Sequence, residues 1–493
     1  MILHNGPIYT MDPRLPHVGA LSIAEERVVG GVDVREGDVD TVGHERVDLD
    51  GRCVLPGFND CHVHFLDWAL QREQLDLTGS GSLAETLRRV GEAAGDGDGW
   101  VFGHGWLAAV WADGQPSAAV LDEVTGERPA ALWAHDHHTL WVNSAALRAA
   151  EAAHPTGIIQ EWDAWRFPLP EPTRTQCMAA VRDAMVEANR RGVVGVHDFQ
   201  ARGGREAWQR LDADRRLRLR VAMSIPLDDL AAARRLELRT GYGNRLLRVG
   251  PVKAFMDGTL GSGTAWMLDG SGEMLLSEAQ LAEAVAEAAA GGLGMAVHAI
   301  GDAANRAALG AFRSTRELWE DVPLRPRIEH VQCLDGADLA AFAELGVVAS
   351  VQPIHATSDR DVADARWADR AAEAYRLRDL FDAGAHVVFG DDAPIDNLDP
   401  LAGIAAAVHR TVDGREPWHP EQTIPVADAV MAYTAAAAYA VGDERWRGCL
   451  LPGYAADLIV LDTDIIAKPE KIAEAKVVAT MLDGRWVHGA PPW

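Results

Sequence analysis

The sequence predicts a (β/α)8 barrel carrying a flanking β-sandwich and one large insertion, and three observations predict it. Short Val/Ile-rich runs recur about every 25–45 residues along most of the chain, the rhythm of strands alternating with helices. Eight such runs are present, and eight parallel strands close a barrel. Polar residues that are costly to bury recur where these runs end, at the one rim where barrel active sites form. The 493 residues leave room for one large domain and a smaller one, so core size is not limiting.

Taken in order, the first run is Cys53 to His64, followed far downstream by Gly192 to Phe199, Leu217 to Ile225 and Leu247 to Asp257. Gly294 to Asp302, Arg325 to Gln332, Gly346 to Pro353 and Ala385 to Asp392 complete the set, mostly separated by Ala/Leu/Glu/Arg-rich stretches of helical character. The gap between the first two runs, about residues 65–191, is too long for a bare loop in a compact protein and is expected to be an inserted subdomain. It holds eight of the sixteen tryptophans, which either wall the substrate site or fill the insertion's own small core. Residues 1–52 and 450–493 read as short β segments broken by Asn5-Gly6, Asp50-Gly51 and Asp483-Gly484 turns. Neither end has enough strands to bury a core, so the two are expected to pair as one small β-sandwich beside a barrel domain at 53–449.

The formal net charge of −27 repels phosphate backbones and anionic membrane surfaces, which argues against nucleic acid and membrane partners. Five cysteines without a C-x-x-C pair suit a reducing compartment, and a cytoplasmic location is expected. The most apolar window, Ala429 to Gly442, is shorter than the roughly 20 residues that span a bilayer. The expected partner is a small-molecule substrate, with a homodimer as the assembly left open.

The first run ends in Asp60-Cys61-His62-Val63-His64. Alternation along a strand puts His62 and His64 on one face, where both imidazoles can reach one metal ion. Lys253, His298, His330 and Asp392 lie at the ends of the fourth, fifth, sixth and eighth runs, with spacings of 45, 32 and 62 residues, the last close to two βα units. Singly, each has a plain structural explanation, such as a hydrogen-bonded core histidine or a capping aspartate. Jointly, they mark a metal-ligand constellation at a barrel rim.

With these residues in view the sequence resembles the amidohydrolase superfamily, and within it the family 3 branch that includes N-substituted formamide deformylase. Asn5 to Asp12, Leu55 to Phe58, Thr156-Gly157, Lys253 to Ala265, His298 to Asp302, Gly390 to Pro394 and Pro452 to Leu458 carry the resemblance, which extends over nearly the whole chain. It implies that His62, His64 and Asp392 hold one divalent metal, most readily zinc, that His298 and His330 hold a second, and that Lys253 bridges them as its CO2 adduct, a carbamate. A mononuclear site with Lys253 unmodified stays open. Asp392 would shuttle a proton between water and the leaving nitrogen, and His138, in the insertion, would donate to a substrate carbonyl unless it is an ordinary surface or core histidine. Asp391 stands where a serine is commoner in the family, and it rivals Asp392 for the metal. The implied activity is metal-dependent hydrolysis of a C–N bond, amide or formamide-like, in a small, partly apolar molecule. The alternatives are a mononuclear deaminase of a nitrogen heterocycle and a non-catalytic scaffold on the same fold.

Overall fold

The computed structural model describes residues 1–32, 45–95, 97, 99–108, 111–135, 137–200 and 203–493, and the side chains of residues 161 and 162 also fall outside the description. The chain divides into two compact units, residues 1–65 with 181–493, and residues 66–180.

In the larger unit eight parallel strands form the barrel: β1 (Phe58–Val63), β2 (Val193–Asp198), β3 (Arg220–Pro226), β4 (Leu247–Phe255), β5 (Met295–Ala299), β6 (Arg327–His330), β7 (Val348–Val351) and β8 (His386–Phe389). They lie side by side in chain order, the continuous sheet expected of repeated βα units. The seam between β8 and β1 is drawn shut just past the strand ends. Asp392 N–H donates to His62 O (2.8 Å), and His64 N–H donates to Ala393 O (2.7 Å). Closure therefore brings the segment carrying Asp392 against the one carrying His62 and His64.

The expected first run, Cys53 to His64, is two strands rather than one. Cys53–Pro56 pairs antiparallel with Leu458–Leu461 in a second sheet, and only β1 belongs to the barrel. The chain passes from one sheet to the other at Gly57, whose N–H donates to Asp457 O (3.0 Å). A β-carbon at Gly57 would stand 2.5 Å from Val194 Cγ1, so only glycine lets β1 approach β2 there. The sequence hides this switch, because residues 53–63 are buried without a break and no polar turn separates the two strands.

The second sheet has eight strands and draws on both ends of the chain, Ile2–Tyr9, His17–Ala24, Arg27–Val32, Arg46–Asp48 and Cys53–Pro56 from one, Leu458–Leu461, Val477–Leu482 and Arg485–His488 from the other. Leu3, Ile8, Leu21, Val54, Leu458, Val460 and Met481 share its core. A buried ion pair ties it to the barrel: Arg220, at the start of β3, grips Asp457 with Nε at 2.7 Å and Nη2 at 2.9 Å, and also bonds Asp483. Removing one partner of such a pair strands the other charge in the interior. Arg220→Met is expected to cost about 3–5 kcal/mol in urea unfolding, and a loss below about 1 kcal/mol would show the pair to be dispensable.

The smaller unit is built on a five-stranded sheet, in the order Ile158–Gln160, Thr139–Val142, Ala130–Ala134, Val101–Trp106, Leu75–Asp76. Its helix Leu83–Ala94 is capped by Ser82, whose Oγ accepts from Glu85 N–H (3.1 Å). Trp106, Trp111 and Trp141 pack against one another with ring centroids 5.7–6.2 Å apart, and each indole N–H reaches a backbone carbonyl. For these three tryptophans the choice left open by the sequence resolves to the unit's own core. Among the described residues, no helix is long and apolar enough to cross a membrane.

Candidate metal centre

The barrel brings His62, His64, Lys253, His330 and Asp392 together at the C-terminal ends of its strands. His62 Nε2 and His64 Nε2 stand 3.6 and 3.7 Å from Asp392 Oδ1, and His330 Nδ1 stands 3.8 Å from Oδ2. Lys253 Nζ, on β4, is 3.3 Å from His62 Nε2. His298, at the end of β5, joins through its ring, 4.5 Å from that of His330, while its Nε2 lies 3.0 Å from Gly258 O.

Neighbouring side chains orient these groups. Glu329 Oε2 lies 2.7 Å from His62 Nδ1 and so holds the proton on that nitrogen, which leaves Nε2 as the lone pair facing Asp392 and Lys253. Arg327 grips both Glu329 oxygens and also reaches His197 Nδ1, Ser350 Oγ and Cys61 O, a buried network beneath the site. Gln352 Oε1 does the same service for His330 Nδ1 (2.9 Å). Phe199 stacks on the His62 ring at 4.3 Å. Arg327, Glu329, Gln352 and Phe199 are functional neighbours that the rim motifs do not announce. Only the buried i, i+2 pairing of two opposite charges within one short strand signalled the first two.

Electrostatics favour ligand-competent forms. Burial, followed by the positive charge of Lys253, holds His62 well below the usual imidazole range, and burial with His298 and His62 does so for His330. Burial pushes the Lys253 amine down to about 8 and the Asp392 carboxyl up to about 6. Asp392 Oδ1 is buried and accepts no hydrogen bond. A buried carboxylate oxygen without a donor, next to neutral imidazoles, is an acceptor set that a divalent cation satisfies, and the residues therefore fit one. The ligand atoms of His62, His330 and Asp392 lie within 4.8 Å of one another.

His330 and Asp392 both have left-handed backbones, with φ of 78° and 56°. Such conformations in non-glycine residues cost about 1–3 kcal/mol each and persist where surrounding structure enforces them, as functional sites do. The turn at His330 also breaks strand alternation. Without it His330 would face away from Glu329's side of the sheet, whereas both reach the site.

A model of the amidohydrolase family matches residues 45–488. The chain belongs to the amidohydrolase family. It is 31% identical to Protein LONG AFTER FAR-RED 3 of Arabidopsis thaliana over 99% of this chain and 91% of that protein. It is 24% identical to the N-substituted formamide deformylase of Arthrobacter pascens over 98% and 97%, a relative that places it in the branch expected from the sequence. An uncharacterized metal-dependent hydrolase from Pyrococcus furiosus shares the fold with a TM-score of 0.78 at 29% identity, covering 94% of this chain and 99% of that one.

In this amidohydrolase the two adjacent aspartates do different things. Asp391 is turned away from the imidazoles. Its Oδ2 accepts from Asp399 N–H (2.6 Å), its Oδ1 accepts from Tyr433 Oη, and its own N–H donates to the Asp60 carboxylate. Burial raises Asp391 to about 7 and lifts Asp60 well above the carboxylate range, with Asp391 the next cause, so the pair holds a proton between them. His138 belongs to the smaller unit, where its ring meets Trp165 edge-on at 4.6 Å, and its catalytic role rests on the sequence resemblance alone.

Proposed function

We propose that this amidohydrolase is a metal-dependent enzyme cleaving a C–N bond, amide or formamide-like, in a small, partly apolar molecule. The observation that carries the reading is the unpartnered Asp392 Oδ1 beside the lone pair of His62 Nε2, with the His64 and His330 rings close by. The deformylase and metal-dependent hydrolase among its relatives support it. Phe255, 41% exposed beside Lys253 and His298, supports an apolar group on the substrate.

In this reading His62, His64 and Asp392 hold one divalent ion, most readily zinc, and His298 and His330 a second. Lys253 would serve as a carbamate: its free amine would add CO2 and release a proton, giving an anionic, carboxylate-like ligand. The lowered Lys253 supports this, since the neutral amine is the form that reacts. Bound divalent ions supply Lewis acidity, which acidifies water and polarises a carbonyl. Asp392 takes the proton from the attacking water and hands it to the leaving nitrogen. Glu329 and Gln352 hold the protons of His62 and His330 on Nδ1, which would leave each Nε2 free as a metal ligand.

Elemental analysis of the purified chain, with a screen of N-formyl, N-acyl and cyclic amides, tests the reading. About two divalent ions per chain are expected, since five protein ligands and a carbamate exceed what one tetrahedral zinc uses. His62→Ala is expected to lose both metal and turnover. The compact His62, His330 and Asp392 set favours a second reading, a mononuclear deaminase, and a single equivalent with full activity on a nitrogen heterocycle would establish it instead.

A further inference from the structure

Three buried polar side chains beside the metal ligands are half-used. Gln332 follows β6, and Gln352 and His355 follow β7. They are 4%, 2% and 4% exposed. Gln352 Oε1 receives the His330 Nδ1 proton, and its Nε2 is without a partner. Gln332 Nε2 donates to His355 Nδ1 (3.3 Å), which leaves Gln332 Oε1 without a donor and puts the His355 proton on Nε2. That Nε2 also makes no hydrogen bond, standing 3.5 Å from Asp396 Oδ2.

An unsatisfied buried polar atom costs about 1–3 kcal/mol, so three on neighbouring strand ends are a standing cost that a bound group removes. Their chemistry specifies that group. Two N–H donors match a carbonyl oxygen, and one carbonyl acceptor matches an N–H. We propose that Gln332, Gln352 and His355 form a substrate subsite that recognises a secondary amide, Gln352 and His355 donating to its oxygen and Gln332 accepting from its N–H. The proposal rests on the amide reading above and narrows it, because a tertiary amide has no hydrogen for Gln332.

The test uses the metal-loaded full chain with N-butylformamide and N-butyl-N-methylformamide, measuring KM and kcat together with calorimetric binding. The secondary amide is expected to have a KM about tenfold lower, the worth of one net hydrogen bond. Gln332→Met, which removes the acceptor, should erase that preference, bringing the two amides to the same KM in the variant with the metal content retained. His355→Asn should raise KM for both amides, since both present the oxygen. Equal KM values for the two amides in the unmodified chain, or a preference that survives Gln332→Met, would overturn the subsite while leaving amide hydrolysis intact. Neither amide bound nor turned over would overturn the subsite along with the amide reading beneath it.

Discussion

Lys253→Ala is expected to lower kcat/KM by about a thousandfold, the loss that accompanies removal of a principal electrostatic stabiliser, and to release at least one metal equivalent. The side chain is 5% exposed, between the rings of Phe199 and Phe255 at 4.5 and 5.1 Å from Nζ, so its removal opens a small cavity rather than a channel. Formate or acetate can enter such a cavity and supply two oxygens in place of the proposed carbamate. Partial recovery of activity and of the second metal with added carboxylate, and none with added amines, is the expected result. Recovery with amines would make Lys253 a base or a cation. Two metals retained in the alanine variant would make it a structural lysine.

Asp392→Asn should lower kcat by about 10²–10⁴-fold, the range for loss of a proton-transferring group, whereas Asp391→Asn should stay within about threefold. The geometry separates the neighbours. Asp392 faces three imidazoles, while the Asp391 oxygens are taken up by Tyr433 and Asp399. An amide at 391 still offers an oxygen to Tyr433, so its penalty belongs to stability, at about 1 kcal/mol in thermal unfolding. The reverse order of the two kcat losses would move the proton shuttle to Asp391.

The barrel was legible because short runs with Val or Ile recur at βα spacing, and because parallel order follows chain order in βα units. The clustering of the rim histidines was legible because strand ends and H-x-H alternation are local signals. What lay beyond reach depended on contacts distant in the chain. Glu329 and His62 are 267 residues apart, and nothing local to either announces the pairing. The separate fates of Asp391 and Asp392 are set by the left-handed backbone at Asp392 and by Tyr433, 42 residues beyond Asp391. The switch at Gly57 was hidden because two strands that belong to different sheets follow each other without a polar turn or an exposed residue between them.

That switch also sets an order of events during synthesis. The strand Cys53–Pro56 leaves the ribosome early, yet its partner Leu458–Leu461 is about 400 residues behind it. At about 5–20 residues per second the early strand waits for roughly 20–80 s with that edge unpaired, and Asp457, which Arg220 needs, is equally late. The nascent chain thus carries a bare apolar strand edge joined directly to β1 for most of its translation, where pairing with another nascent chain competes with the native partner. Slowed translation of the last third of the message is therefore expected to increase aggregation, and chaperones that shield strand edges have their window of action before the final forty residues emerge.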